Sequence, residues 1–391
     1  MNHSINSLVS VNVFSMSPFL SKHVNHVYQC SFFRFFGSVY EGAPSHNLCF
    51  SKSSFNRFLS RPIGIEQLMQ YASIVAERYT FTSLSTSYQS QFIDCVFRDC
   101  ISPARGGAIY IDSASVNPVI MRCGFDHCCS TVNIHSAGAI SIYASNYVSF
   151  SNLCFLNCSC ASDPPTYQVS PHGGGVKRLW VNFTTTLNAG NNEYKSNWGP
   201  MSGGSELLLS CDNNISNLYS ISQYGGGMVF ATSNGNNDIV YRSQLKDSLG
   251  LGFISFYSIS TSKLLTSCNF INNSSHSNYW IYYLSGSFTV SFKECVFVYN
   301  KNCKISESGP QPLFSKCFIS SDLSIGNRVG SFDPECNFDA QIGDAFSLFT
   351  VKTELCWERG FIQLGYQGTL RPQISIKSYY MVLFSPFFMF A

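Results

Sequence analysis

Charge is what this sequence has least of. Charged residues make up 12% of its 391 positions, about half of the ~25% found in average soluble domains. The 24 Lys and Arg against 22 Asp and Glu leave a net charge of +2. No basic cluster tracks along the chain, which excludes a dedicated nucleic-acid binder, because such proteins must neutralise a run of phosphates. Acids are equally thin, and no Asp-Asp pair occurs. Glycoside hydrolysis needs paired carboxylates about 5–10 Å apart, and a Ca²⁺-dependent lyase needs a cage of several oxygen ligands. Asn236-Asn237-Asp238 and His172-Gly173-Gly174 are fragments of a polygalacturonase-like pattern, far apart and in the wrong order. A phosphate-cradling loop, a dinucleotide fingerprint and a Gly-x-Ser-x-Gly elbow are all missing. Long apolar runs are missing too. Residues 7–20 are moderately apolar, but no Lys or Arg precedes them and Asn12 and Pro18 interrupt them, so they do not read as a clean secretion signal. Residues 379–391 are apolar but contain Pro386 and fall short of the ~20 residues that span a bilayer. They read as a final core strand or capping segment, with a truncated membrane anchor as the alternative.

What is abundant is aromatic. Phe occurs 34 times and Tyr 21 times, which suits strands rather than helical bundles and argues against intrinsic disorder. Two short patterns alternate down the chain. One is a glycine-led apolar strand, Gly106-Gly107-Ala108-Ile109-Tyr110-Ile111 and then Ala137-Gly138-Ala139-Ile140-Ser141-Ile142. The other is Cys-x-Phe-x-x-Cys/Asn: Cys95-Val96-Phe97-Arg98-Asp99-Cys100, Cys123-Gly124-Phe125-Asp126-His127-Cys128, Cys268-Asn269-Phe270-Ile271-Asn272-Asn273 and Cys295-Val296-Phe297-Val298-Tyr299-Asn300. Phe97 to Phe125 is 28 residues, Phe125 to Phe155 is 30, and Phe270 to Phe297 is 27. Between Phe155 and Phe270 the phenylalanine register weakens, and the period is carried by Gly174, Gly204 and Gly226 and by Tyr194-Lys195-Ser196-Asn197 as a Phe-x-x-Asn variant. A repeated strand-and-turn unit stacks coils rather than wrapping one globular core.

Side chains alternate along a strand. Cys95 and Phe97 therefore share the inward face and Val96 points out. Phe97, Phe125 and Phe155 are expected to stack, and Cys100, Cys128 and Cys158 to share a turn ladder with Asn197, Asn273 and Asn300. Asn suits such a turn because it tolerates left-handed backbone. The glycine pair permits a sharp corner before the next strand. Ile65, Leu68, Met69, Ala72, Val75 and Ala76 recur at helical spacing, which predicts a short amphipathic helix over 62–79, with an irregular strand pair as the alternative.

Cysteine, at 17 residues, admits three readings. The first is small inward-facing core residues. The second is disulfides between neighbouring coils, since rungs lie ~4.8 Å apart and disulfide Cα separations span ~4.4–6.8 Å; the columns Cys100, Cys128, Cys158 and Cys95, Cys123, Cys154 are the places for them. The third is zinc, for which Cys-x₄-Cys lacks a matching second pair with His. Other side chains with chemical potential are few. Asp99 and Asp126 follow their phenylalanines at comparable places and form a conceivable acidic pair, though solvated turn positions are the plainer reading. His127 and His135 flank a Cys-rich stretch. Lys177-Arg178 near Trp180 offers a sugar- or anion-contacting spot, or else an ordinary exposed pair. Glycosylation sequons stand at Asn2, Asn157, Asn182, Asn214, Asn272 and Asn273.

The Gly-Gly-Ala-Ile and Phe-x-x-Asn repeats resemble those of the polymorphic outer-membrane-protein passenger domains of chlamydiae. With cysteine added, they are still more similar to the cysteine- and serine-rich right-handed β-helix proteins predicted in parasitic protists such as trichomonads. The resemblance covers residues 89–160 and 265–303. It implies an all-β, single-stranded right-handed parallel β-helix and a surface or secreted adhesive role. The resulting expectation has three parts: a strand-rich, irregular N-terminal region over 1–88 with a possible short capping helix, coils over 89–330, and terminal coils or a cap over 331–391. The expected function is a non-enzymatic binding scaffold at the cell surface or outside the cell, with no catalytic, cofactor or metal residues. Its partner would be a protein or glycan on a host or neighbouring cell, and neither nucleic acid nor a membrane span is expected. A β-helix polysaccharide lyase or glycoside hydrolase is the alternative, and a structural fragment of a larger surface protein the third reading.

Overall fold

The structure is a computed structural model that describes residues 3–11, 20, 24–42, 47–66, 88–113, 115–131, 137–144, 147–161, 165–171, 178–190, 201–203, 208–211, 213–219, 226–231, 238–250, 252–257, 262–275, 279–283, 289–301, 304–306, 312–320 and 331–345. It is all-β, built on three long parallel sheets that the chain visits in rotation. One turn illustrates the pattern: Tyr88–Ile93 lies in sheet 1, Val96–Ser102 in sheet 2 and Ile109–Asp112 in sheet 3, after which Val116–Met121 returns to sheet 1 beside Tyr88–Ile93. Every pairing within these sheets is parallel, as in a solenoid. The stack takes in both sides of residue 89. Leu48–Ser51 pairs with Tyr88–Ile93, and Ser54–Phe58 pairs with Val96–Ser102.

The interior is aromatic because each inward position stacks on its own equivalent. Phe97 pairs in register with Phe125, and Phe125 with Phe155. Their rings are parallel, with centroids 5.0 Å apart at both steps. The column extends upward through Phe55 and Phe32. It resumes as Phe270 on Phe297. In the gap where the phenylalanine signal fades, the register places Thr186, Ile215 and Leu245 in the same column. The column member there is thus Thr186, not a tyrosine; Tyr194 and Asn197 lie outside the described residues. Thr186 has a smaller, β-branched side chain that packs on a strand as well as Phe does, which is why no aromatic marks the step.

Two corners flank each strand of sheet 2, and they explain the cysteines. Each corner has a residue with positive φ, such as Asp94 (φ 55) and Asp99 (φ 51), or Arg122 and His127 (φ 51 for both) one coil on. The N–H of that residue stays in the parallel ladder, as Asp94 N–H to Met121 O shows at 3.0 Å. So does the residue two further on, Val96 N–H to Ser53 O at 2.9 Å. Between them stands a buried residue whose N–H is taken by a side chain of the next coil. Cys95 N–H donates to Cys123 Sγ, Thr184 N–H to Asn213 Oδ1 and Asn213 N–H to Ser243 Oγ. At the second corner Ser248 N–H donates to Asn273 Oδ1 and Asn273 N–H to Asn300 Oδ1. The same side chains donate backwards. Cys128 and Cys158 reach the carbonyls of Phe97 and Phe125, and Asn300 Nδ2 reaches that of Phe270 at 2.9 Å. A buried backbone donor must be satisfied, and Cys, Ser and Asn are the small side chains that accept and donate from a corner.

This geometry corrects several expectations. In the first-corner column Leu153 follows Cys123, because Cys154 is in register with Gly124 and hence on the outward side of the strand. Cys154 is disulfide-bonded, its partner lying outside the described residues. The column cysteines, Cys95 and Cys123 at one corner and Cys100, Cys128 and Cys158 at the other, are free thiols. Cys95 and Cys100 stand at the two different corners of one coil, and among the described residues no three His, Cys, Asp or Glu side chains gather where they could hold a metal. Asp99 aligns with His127, and Asp126 with Arg98, so the two acids occupy different places. Over the proposed 62–79 helix, Ile63–Glu66 is a strand of sheet 3 paired with Ile109–Asp112; Ile63 and Ile65 bury on one face, an alternation of period 2. Residues 67–79 lie outside the described residues. Gly107 and Gly138 answer a close approach rather than a backbone need: a Cβ on Gly107 would lie 2.0 Å from Gly138 O. Positive φ is needed at Gly106.

Burial pushes the Cys95, Cys128 and Cys158 thiols well above their usual range. A thiol-exchange reagent at pH 8 is therefore expected to leave these three thiols unmodified in the native protein and to react with them on unfolding in guanidinium. A proton held more tightly in the folded chain stabilises it fully below the unfolded thiol pKa of ~8.5. That contribution is lost as pH rises from there through the raised folded value. Rapid native labelling of Cys128 would contradict the corner assignment.

Candidate binding face

Sheet 1 presents its outward residues along one side of the stack. Tyr147–Ser151 and Arg178–Asn182 are neighbouring parallel strands in which Val148, Phe150, Leu179 and Val181 face the core. The alternate positions face out. Register sets Tyr147 beside Arg178 and Ser149 beside Trp180. Tyr147 is 47% exposed and Trp180 43%. The Arg178 guanidinium lies 5.7 Å from the Tyr147 ring centroid, a cation–π contact. Among the described residues Arg178 has no acidic partner. The patch is anchored from the coil before by Asn117, whose Oδ1 accepts the Tyr147 N–H at 3.2 Å. Below it, Asn182 Oδ1 accepts from Cys211 Sγ at 2.9 Å. Two large rings and a guanidinium without an acidic partner among the described residues can stack, on one lateral face, on a flat apolar surface while offering charged donors to an oxygen-rich one.

The other singled-out residues fall elsewhere. Asp126 is buried on the outward side of sheet 2, where Arg98 Nε reaches its Oδ2 at 3.1 Å and His127 Nδ1 lies 2.7 Å from its Oδ1. Asp94 holds Arg122 through two contacts of 2.6 and 3.0 Å. These carboxylates are committed to neutralising cations one coil away. Asn214 is buried and bonded to Gln244 and Ser216, and Asn273 is buried in the corner ladder, so neither sequon is presented by the folded chain. Asn157, half-buried, and Asn272, exposed, occupy corner positions and bond to Asn188 and Asp247. His135, His172 and Lys177 lie outside the described residues, as do residues 379–391. Among the described residues no helix is long and apolar enough to cross a membrane. Sequence reasoning found Arg178 and Trp180 but missed Tyr147; the signal was available, since Tyr147 stands one coil before Arg178 and begins the same outward alternation.

No family model matches this sequence, and no curated protein or solved structure matches the chain.

Proposed function

We propose that the chain is a single-stranded, right-handed β-helix that serves as a non-enzymatic binding scaffold, displayed at a cell surface or secreted, as its resemblance to the chlamydial and trichomonad repeat proteins implies. The observation that carries this reading is the exposed Tyr147–Arg178–Trp180 patch on the outer face of sheet 1. Tyr, Trp and Arg are the side chains that dominate binding energy at protein surfaces, and a long stack offers an extended lateral face. The partner is a glycan or protein on an opposing surface. The engagement of Asp94 and Asp126 with arginines also favours a scaffold over a hydrolase. The Cys154 disulfide fits an oxidising compartment.

Binding of fluorescent full-length protein to a cell layer tests the reading. The double variant Tyr147→Ala/Trp180→Ala is expected to bind at least tenfold more weakly, with an unchanged unfolding transition. Glycosidase or protease treatment of the layer identifies which partner is lost. Undiminished binding by the variant, or polyuronate turnover abolished by Asp126→Asn, would overturn the proposal.

A further inference from the structure

A second feature lies away from sheet 1, at the corner where sheet 2 ends in the first coils. The left-handed corner positions of three successive coils are Arg34, Arg57 and Asp99. Two residues beyond each, the side chains turn outward again as Phe36, Leu59 and Ile101, exposed by 44%, 52% and 43%. Together with Phe35 these six residues line a groove of about 370 Å³. Most exposed apolar side chains on a soluble protein are scattered; here three stand in a row on adjacent rungs.

The charges beside them are unbalanced. Arg34 and Arg57 lie one rung apart, and their guanidinium carbons sit 5.1 and 5.4 Å from the same ring, that of Phe33. Neither has an acidic partner among the described residues. Two like charges held by one ring repel each other, and an anion between them relieves that repulsion. Guanidinium groups are suited to this, because their planar forks match carboxylate, sulfonate and phosphate oxygens. Asp99 stands one rung beyond Arg57, next to Ile101, and disfavours a second anion at that end. The groove thus has a direction: a cationic end at Arg34 and Arg57, then an apolar floor of about three rungs. Its volume falls in the range of small-molecule sites and is far below what a protein interface of ~800 Å² per partner covers.

We propose that this groove binds a small amphipathic organic anion, with the acidic head between Arg34 and Arg57 and an aromatic or short aliphatic body along Phe36, Leu59 and Ile101. The site is independent of the sheet 1 face. Its probe is 8-anilinonaphthalene-1-sulfonate, whose sulfonate and fused rings have this chemistry and whose fluorescence reports apolar binding. Titration of the full chain is expected to show one saturable site. Arg34→Gln/Arg57→Gln should raise its Kd at least tenfold, and raising salt from 50 to 500 mM should weaken the wild type in the same direction. The neutral analogue N-phenyl-1-naphthylamine should bind wild-type protein at least tenfold more weakly than the sulfonate. Leu59→Ser should weaken both probes. Because the salt series and the neutral analogue use unmodified protein, the test survives a variant that folds poorly. Equal affinity for the two probes, or sulfonate binding unaffected by the double arginine variant, would overturn the proposal. Cell-layer binding should be unchanged in the arginine variant, which separates failure of this site from failure of the sheet 1 reading.

Discussion

Phe125→Ala is expected to destabilise the stack by about 3–5 kcal/mol, the cost of truncating a fully buried phenylalanine. Phe125 is 0% exposed and sandwiched between Phe97 and Phe155. Alanine leaves a void with a ring on both sides, and neither ring can follow it, because each is fixed to a strand whose rung spacing the backbone ladder sets. The neighbours therefore cannot relax into the gap, which places the loss at the upper end of the range. Coils couple chiefly to adjacent coils, so the damage should be local. Hydrogen exchange is expected to show lost protection over residues 95–160 and little change near Phe270 and Phe297. Uniform loss along the chain, or none, would mean that the column is not the unit of stability.

Asn213→Ala should cost nearly as much, about 2–4 kcal/mol, although it removes only one small polar side chain. Asn213 Oδ1 accepts from the N–H and the hydroxyl of Thr184, at 3.0 and 2.7 Å. Its Nδ2 donates to Val181 O and to Ser210 Oγ, at 3.0 and 2.8 Å. All of this is buried, and each buried group left unsatisfied costs about 1–3 kcal/mol. Asn213→Ser should recover part of the loss, since Ser243 and Ser248 do the same work at other corners. Asn213→Asp should be worse than alanine, because it removes both donors and buries a charge. Urea midpoints for the three variants decide the order; alanine equal to wild type would show that water can reach the corner.

Much of this was legible in the chain. The inward stack of Phe97, Phe125 and Phe155 follows from spacing and period-2 placement, and the inward face of Asn273 and Asn300 from their position three residues after a phenylalanine. The parts that were not legible share a cause. Leu153 and Thr186 hold column positions with residues that carry no motif, so a one-residue slip put Cys154 in the wrong column, and the column member after Phe155 went unrecognised. Asp99 and Asp126 look alike in sequence, two and one residues after Phe, yet one residue exchanges a half-buried corner for a buried outward site. The apparent helix at 62–79 failed over Ile63–Glu66 because sheet pairing with the next coil outweighed a local 3.6 periodicity. The groove was invisible because its members come from three coils and no local pattern joins them.

The corners carry a consequence for how such a chain changes over time. Left-handed backbone is taken here by Gln29, Lys52, Arg57, Arg122, Glu294 and Lys316, residues for which it costs about 1–2 kcal/mol each relative to glycine. The fold demands a conformation at these places and is indifferent to the side chain. Glycine would be more stable, and its absence leaves a line of outward side chains along each edge, held at fixed intervals and disconnected from the bonds that close the interior. Substitutions there alter what the molecule displays and leave the path of its backbone unchanged, so surface and architecture can drift apart: Arg34, Arg57, Asp99 and His127 on consecutive coils are four different side chains at one repeated backbone position.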